Sequence, residues 1–281
     1  MHGLDDIGWD YGFAVSAYGA RIGARVNDLK LLDQLRARTP YGSTHSKAKT
    51  VDRLFSVMVI KKKNPKLNRY NLYWDHTLFV KNEPLESMLD KFDAIASLAI
   101  AELSDEKLFV HAGVVEWKNK AILIPGKSHS GKSTLVAELV KCGATYYSDE
   151  FAVIDRQGYV TAYPKPLSLR EPGKHIQKDV PIEDIGGKVG NRRLPVGLIV
   201  ISQYEKGSNW EPEYLSPGNG LLHILENTHS ILRTPKRAIQ YLKKLVTYSK
   251  AIRCTRGEAS EVAPKILHEV AIYHDPCNDK L

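Results

Sequence analysis

The segment Gly126-Lys127-Ser128-His129-Ser130-Gly131-Lys132-Ser133 fits the pattern G-x-x-x-x-G-K-[ST] at every fixed position. Each residue type answers a physical need. Glycines let the backbone curl so that successive N–H groups point inward at phosphate oxygens. A helix starting at the end of such a loop adds unpaired N–H groups and the positive end of its dipole. Lys132 then places a point charge on β- and γ-phosphates, and the Ser133 hydroxyl is a hard oxygen ligand for Mg²⁺. The stretch expected to touch nucleotide is Gly126, Lys127, Ser128, His129, Ser130, Gly131, Lys132, Ser133 and Thr134. Within it His129 reads as loop filler, and Lys127 either adds charge or is simply solvated. The pattern alone occurs by chance. What makes it informative is its place, after a short apolar run and before an amphipathic one.

Asp149 and Glu150 follow Lys132 by 17 and 18 residues, at the end of the apolar stretch Ala144–Tyr147. Two carboxylates at a strand end facing a nucleotide have two natural uses. One holds Mg²⁺, directly or through water; the other takes a proton from an attacking hydroxyl. A solvated acidic turn is the competing reading, and the loop upstream weighs against it. Many P-loop ATPases carry their metal-binding acid much farther along the chain, so this spacing argues against that broad class. His111, in Val110-His111-Ala112-Gly113, stands on an apolar strand, where a lone histidine reads as a core residue.

The elements that must hold these groups are legible around them. Leu108–Trp117 is a strand run, Lys118-Asn119-Lys120 a tight polar turn, and Ala121–Ile124 a second strand leading straight into the loop. Ser133–Lys141 places Leu135, Leu139 and Val140 on one helical face. Phe151–Ile154 and Tyr159–Tyr163 flank Arg156-Gln157-Gly158 as a hairpin, and Val196–Ser202 is a buried strand. Helices are expected over Gly220–Asn227, from Thr234-Pro235 onward with Ile239, Leu242, Leu245 and Val246 facing inward, and over Glu258–Ile272, where Pro264 should interrupt. Gly173–Arg193, with Gly186-Gly187, Gly190, Lys188, Arg192 and Arg193, reads either as a mobile basic loop that covers the site and contacts an acceptor or as a solvated surface loop.

Upstream, strands are expected at Phe13–Tyr18, Ala20–Val26, Leu54–Ile60 and Asn71–Val80, helices at Asp28–Arg38 and Pro84–Leu103, and a polar loop at Tyr41–Asp52. Residues 1–104 thus read as a small α+β domain without recognisable chemistry, and 105–281 as the domain that carries it. A length of 281 residues suits two domains, and 43% apolar with 26% charged residues suits a soluble chain with a real core. No apolar run approaches the roughly 18 residues of a membrane span, and the first residues lack a basic-then-apolar leader. A cytoplasmic protein without membrane contact is expected. Cys142, Cys254 and Cys277 show no metal spacing and read as reduced thiols. The net charge of +8 admits nucleic acid, an acidic peptide or a nucleotide. Its basic residues are scattered apart from Lys61-Lys62-Lys63, so nucleic acid is not expected.

From His111 to about Ile154 the chain resembles the catalytic domain of bacterial HPr kinase/phosphorylase. The resemblance rests on His111-Ala112-Gly113-Val114-Val115, on a hairpin running directly into Gly126–Ser133, on the helix after it, and on Tyr146-Tyr147-Ser148-Asp149-Glu150, where that family has an Asp-Asp pair. The matched block is roughly a sixth of the chain. It implies an α/β P-loop kinase domain of the HPr kinase/phosphoenolpyruvate carboxykinase type, using ATP and Mg²⁺ to phosphorylate a serine hydroxyl. Lys132 and the loop would hold ATP, Ser133 and Asp149 would attend the metal, Glu150 would accept the proton, and His111 would support that acid. In Pro166-Leu167-Ser168-Leu169-Arg170-Glu171, Arg170 matches a family arginine, while Ser168 stands where the family has a glutamate. Phosphorolysis and HPr itself are therefore not expected. The acceptor implied is a peptide or small protein, such as a ribosomal or lasso-peptide precursor. A kinase of a small hydroxylated metabolite and a nucleotide-binding regulator without transfer chemistry remain alternatives, and a homo-oligomer stays open.

Overall fold

The computed structural model describes residues 4–6, 8–127, 130–170 and 177–271. The chain divides into two compact units, 1–106 and 107–281.

In the first unit β1 (Tyr11–Ala17) and β2 (Ala20–Val26) form a hairpin, followed by α1 (Leu29–Ala37), whose first turn is capped by the Asp28 carboxylate accepting the Lys30 N–H. Then come β3 (Thr44–His45), β4 (Arg53–Ile60), β5 (Arg69–Trp74), β6 (Thr77–Glu83) and the long α2 (Leu85–Leu103). The strands make one sheet in the order β3-β1-β2-β4-β5-β6. Met88, Leu89, Phe92, Ala96 and Ala99 are the buried stripe of α2. The expected single strand Asn71–Val80 is in fact the β5–β6 hairpin, turning at Asp75 with φ of 51°. Apolar and aromatic residues continue on both sides of that turn and hide it.

The second unit is organised around β7 (Leu108–Trp117), which hydrogen-bonds along both edges and changes partner on both near its middle. On one edge β8 (Lys120–Pro125) pairs with residues 112–117. Where β8 leaves, Asn227–His229 takes over: the His111 N–H donates to the Asn227 carbonyl at 2.7 Å, and the His229 N–H to the Phe109 carbonyl at 3.1 Å. On the other edge β9 (Thr145–Ser148) pairs with residues 114–116, and β10 (Phe151–Ile154) pairs with 108–111. Asp149-Glu150 is the break between them.

The remaining elements are α3 (Lys132–Lys141), β11 (Val160–Thr161), the small pair β12 (Leu167–Arg170) and β13 (Gln177–Val180), β14 (Val196–Tyr204), β15 (Glu213–Leu215), α4 (Pro217–Leu225), α5 (Pro235–Thr247), β16 (Lys250–Arg256) and α6 (Ala259–Ala271). The main sheet runs β11-β10-β7-β8-β14-β16-β15, with β8, β14 and β16 mutually parallel. One apolar cluster joins α3 and α6 to the sheet, and a second joins α4 and α5 to it. A mixed sheet covered by helices in this way is an α/β layer architecture. Among the described residues no helix is long and apolar enough to cross a membrane.

Three expectations change. α6 does not stop at Pro264 but runs through it. An interior proline costs roughly 3 kcal/mol, yet Val262, Ala263, Ile266, Leu267 and Val270 are all buried. At about 1.5–3 kcal/mol for each large apolar side chain, that burial outweighs the lost hydrogen bond. Within Gly173–Arg193, residues 177–180 form β13 and Ile182–Ile185 a 3-10 turn; residues 171–176 lie outside the described residues. Finally, Lys250–Arg256, where no element was expected, is a core parallel strand.

Candidate functional site

The site assembles where β7 changes partners. Pro125, the last residue of β8, pairs with Ala112, and the Gly126 N–H then donates to the His111 carbonyl at 3.3 Å. The loop therefore starts beside His111. On the opposite edge the Ala112 N–H donates to the Glu150 carbonyl at 3.2 Å. The middle of β7 thus carries the phosphate loop on one side and the two acids on the other. α3 crosses above it so closely that a Cβ at Gly113 would lie 2.6 Å from a Val136 methyl.

Ser128 and His129 lie outside the described residues. The rest of the loop shows how a polyphosphate would be received. Gly131 sits at φ of 83°, a left-handed conformation natural to glycine, and its carbonyl accepts the Leu135 N–H as α3 begins. Lys132 is only 7% exposed, and its ammonium donates to the Lys127 carbonyl at 2.8 Å, so the side chain arches back over the loop. Burial pulls its pKa down to about 8, against an opposing pull from Asp149. A phosphate in the loop would add counter-charge to this buried ammonium, whose observed hydrogen bond goes to a neutral carbonyl.

Next to it, the Ser133 hydroxyl donates to Asp149 Oδ2 at 3.0 Å. Asp149, 8% exposed, also accepts from the Tyr146 hydroxyl at 3.0 Å and the Ser168 N–H at 3.2 Å. Burial raises its pKa, with these three donors pulling the other way. The Tyr146 hydroxyl is itself held above the ordinary phenol range by burial and by Asp149. Ser168 stands where the resembled family has a glutamate, and here its backbone N–H, not a carboxylate, reaches Asp149. Among the described residues no group of three or more His, Cys, Asp or Glu could hold a metal. The fit for Mg²⁺ is of another kind: Ser133 and Asp149 already meet, and this hard ion is normally bound by one or two protein oxygens plus phosphates and water.

Glu150 pairs with the Lys165 ammonium at 3.1 Å. The Ser148 hydroxyl accepts the backbone N–H groups of both Glu150 and Phe151, fixing the turn that presents the acids. Tyr146 and Ser148 stand in the stretch that carries the resemblance but were given no role there, and no motif singled out Lys165. A buried tyrosine three residues before an acid was the available signal for Tyr146.

His111 stacks on His229, ring centroids 6.0 Å apart at 22°. His229 was missed altogether, because nothing in Asn227-Thr228-His229 resembles a motif and its relevance comes from pairing with Phe109, 120 residues upstream. Its Nε2 is buried with no hydrogen-bond partner among the described residues. Burial, followed by Lys132 and His229, lowers the His111 pKa to about 4. His111 is therefore neutral at pH 7. A depressed histidine pKa means that the unfolded chain binds more protons between about 6.5 and 4, so folding stability falls as pH falls through that window. The melting temperature is expected to drop over this range, and to drop less in a His111→Gln variant when both are followed by calorimetry.

Behind the loop lies Arg256, 2% exposed. Its guanidinium donates to the Gly131 carbonyl at 3.0 Å and to the Gly257 carbonyl at 3.1 Å, lies 5.6 Å from the Tyr204 ring, and has an Nε without a partner. A charge-assisted hydrogen bond contributes about 1.5–3 kcal/mol. Arg256→Met should therefore weaken tripolyphosphate binding about tenfold or more, measured calorimetrically, while the domain still melts cooperatively.

The basic residues expected to meet an acceptor are placed differently. Arg192 bonds Asn119 at 2.9 Å, at the far end of the β7–β8 hairpin, and six strand residues put that end about 20 Å from the loop. Arg193 is paired with Asp155, bonds Gln157 and covers the Tyr159 ring. Both arginines, expected as acceptor contacts, are thus tied into turns by these partners. Lys188 is exposed, and its carbonyl accepts the Tyr146 N–H. Arg170 ends β12, and Glu171 lies outside the described residues.

Two cavities flank the loop. One of about 830 Å³ is bounded by Pro125–Lys127 and Ser130 and by the ends of β14 and β16. The other, about 220 Å³, is lined by His111, Lys127, Glu226, Asn227, Thr228 and His229.

No family model and no curated protein matches the chain. Among solved structures, the HPr(Ser) kinase/phosphatase from Coxiella burnetii matches 58% of this chain and 93% of its own, at 16% identity and a TM-score of 0.30.

Proposed function

We propose that the chain is an ATP- and Mg²⁺-dependent kinase that transfers the γ-phosphoryl group to a serine hydroxyl of a peptide or small protein. The observation that carries this reading is the contact between Ser133 and Asp149, made beside the buried Lys132 at the start of α3. A loop that only bound phosphate would need the lysine and the helix terminus. An acid joined to the loop serine and followed by a second acid is what transfer requires in addition.

In the reaction Lys132 leaves the Lys127 carbonyl for the β- and γ-phosphate oxygens. Mg²⁺, held by Ser133 and Asp149, would supply charge neutralisation on the phosphates. Glu150 accepts the proton of the attacking hydroxyl as the bond from that oxygen to the γ-phosphorus forms and the bond to the β-bridging oxygen breaks, releasing ADP. The Lys165 ammonium, 3.1 Å from the Glu150 carboxylate, holds that side chain in place until the hydroxyl arrives. The pocket of about 220 Å³ beside His111 has room for a single side chain, which suits a serine presented on a chain.

The test is incubation with γ-labelled ATP and Mg²⁺ against serine peptides, HPr and small hydroxylated metabolites. Label recovered as phosphoserine supports the reading. Label only on a metabolite would make the chain a small-molecule kinase. ATP binding with no transfer to any acceptor would leave a nucleotide-binding regulator.

A further inference from the structure

A nucleotide whose phosphates occupy the loop must run out of it to one side or the other, and the two sides are unequal. Toward β7 and β10 lie the acids, the histidine pair and a pocket of about 220 Å³. Toward β14 and β16 lies the cavity of about 830 Å³. Small-molecule pockets typically enclose about 300–1,000 Å³, so only the second is of the right size for a base and ribose. It also stands at the carboxyl ends of the three parallel strands β8, β14 and β16. That is where open α/β sheets receive ligands, since the helix N-termini and the loops after the strands converge there.

Resting on the kinase reading, we propose that this cleft is the nucleoside subsite, with the base and ribose lying between the ends of β14 and β16 and the phosphates turned back into the loop. The chemistry of the lining favours such an occupant. Glu211, Glu213 and Glu226 face the cleft against two cations, Lys127 and Arg253. Arg253 is already paired with Glu213 at 2.7 Å. An anionic ligand is disfavoured there, whereas a neutral ligand rich in N–H and O–H donors has three carboxylates to meet. Tyr204 offers a ring held from two directions, its hydroxyl on Glu258 at 2.8 Å and its face near Arg256. A ring fixed before binding presents a flat surface with little conformational entropy left to lose. The exposed side chains of Gln203 and Thr255, at adjoining strand ends, complete the lining. The smaller adjoining pocket beside His111 and His229, which shares Lys127, Glu226 and Asn227 with the cleft, is then left for the acceptor.

Thr255→Trp fills the cleft from an exposed position, and Gln203→Trp does the same from the neighbouring strand should the first variant fold poorly. Affinities for Mg·ATP and Mg·tripolyphosphate are measured by calorimetry on both, beside wild type and Lys132→Ala. The expected result is a loss of tenfold or more in ATP affinity for the tryptophan variants, with tripolyphosphate affinity changed less than twofold and Lys132→Ala weakening both ligands. Unchanged ATP affinity, equal loss of both ligands, or a rise only in acceptor KM would each overturn the proposal while leaving the kinase reading intact. Wild type binding neither ligand would instead overturn the kinase reading itself.

Discussion

Lys132→Ala is expected to reduce phosphoryl transfer by about 10³-fold or more, and to weaken ATP and tripolyphosphate alike, without loss of the fold. The magnitude is that of removing a preorganised charge from a site where negative charge concentrates in the transition state. The survival of the fold follows from burial. Lys132 is 7% exposed, and the one hydrogen bond its ammonium is seen to make goes to a neutral carbonyl. Keeping that charge in place opposes folding more than it favours it. Calorimetric melting should therefore show Lys132→Ala as stable as wild type or more so, while binding collapses. A variant that melted far lower would mean that Lys132 is structural and that its loss of activity says nothing about phosphate. Lys132→Arg should not rescue activity, because the broader guanidinium does not fit a site shaped for a compact ammonium.

Glu150→Gln should lower kcat by about 10²–10⁴-fold, the usual contribution of a general base, with ATP affinity almost unchanged. Glutamine keeps the size of the side chain and can still accept a hydrogen bond from Lys165, but it loses the ion pair and the ability to accept the proton. Asp149→Asn should behave differently. Asp149 accepts from Ser133, Tyr146 and Ser168, and an amide nitrogen in place of either oxygen would face one of these donors. That variant should lose both Mg²⁺-dependent nucleotide affinity and thermal stability. Single-turnover assays at saturating ATP, run with melting curves, separate the two acids. Equal defects in both variants would sink the division of labour proposed between them.

What could be read from the chain, and what could not, divides along sequence distance. The β7–β8 hairpin, the loop, α3 and the acids form one local run in which apolar periodicity, glycine spacing and a polar turn all agree, and β7, β8 and α3 stand where their patterns put them. β16 was illegible because Lys250, Arg253, Thr255 and Arg256 interleave with its buried positions. A parallel strand is usually announced by an unbroken apolar run, and here Arg256 is buried beneath the loop instead. Lys165, His229 and Arg256 escaped for a related reason: each reaches the site by tertiary pairing that no local spacing encodes. Arg192 and Arg193 show what spacing hides in the opposite direction. A cluster of basic residues near glycines looked available for a ligand, whereas Asn119 and Asp155, remote in sequence, already hold them.

The double change of partner along β7 also sets an order of supply during synthesis. His111 meets Gly126 after 15 residues, but it meets Asn227 only after 116, and the loop-closure entropy for the second contact is about 1.8 kcal/mol greater. At a ribosomal pace of about 5–20 residues per second, the 77 residues between Glu150 and Asn227 take several seconds to appear. The segments carrying the loop and the acids are therefore available well before the one carrying His229. The chain has its means of holding phosphate first, and the edge of β7 that must receive Asn227–His229 waits, unpaired, for the C-terminal part of the chain to arrive.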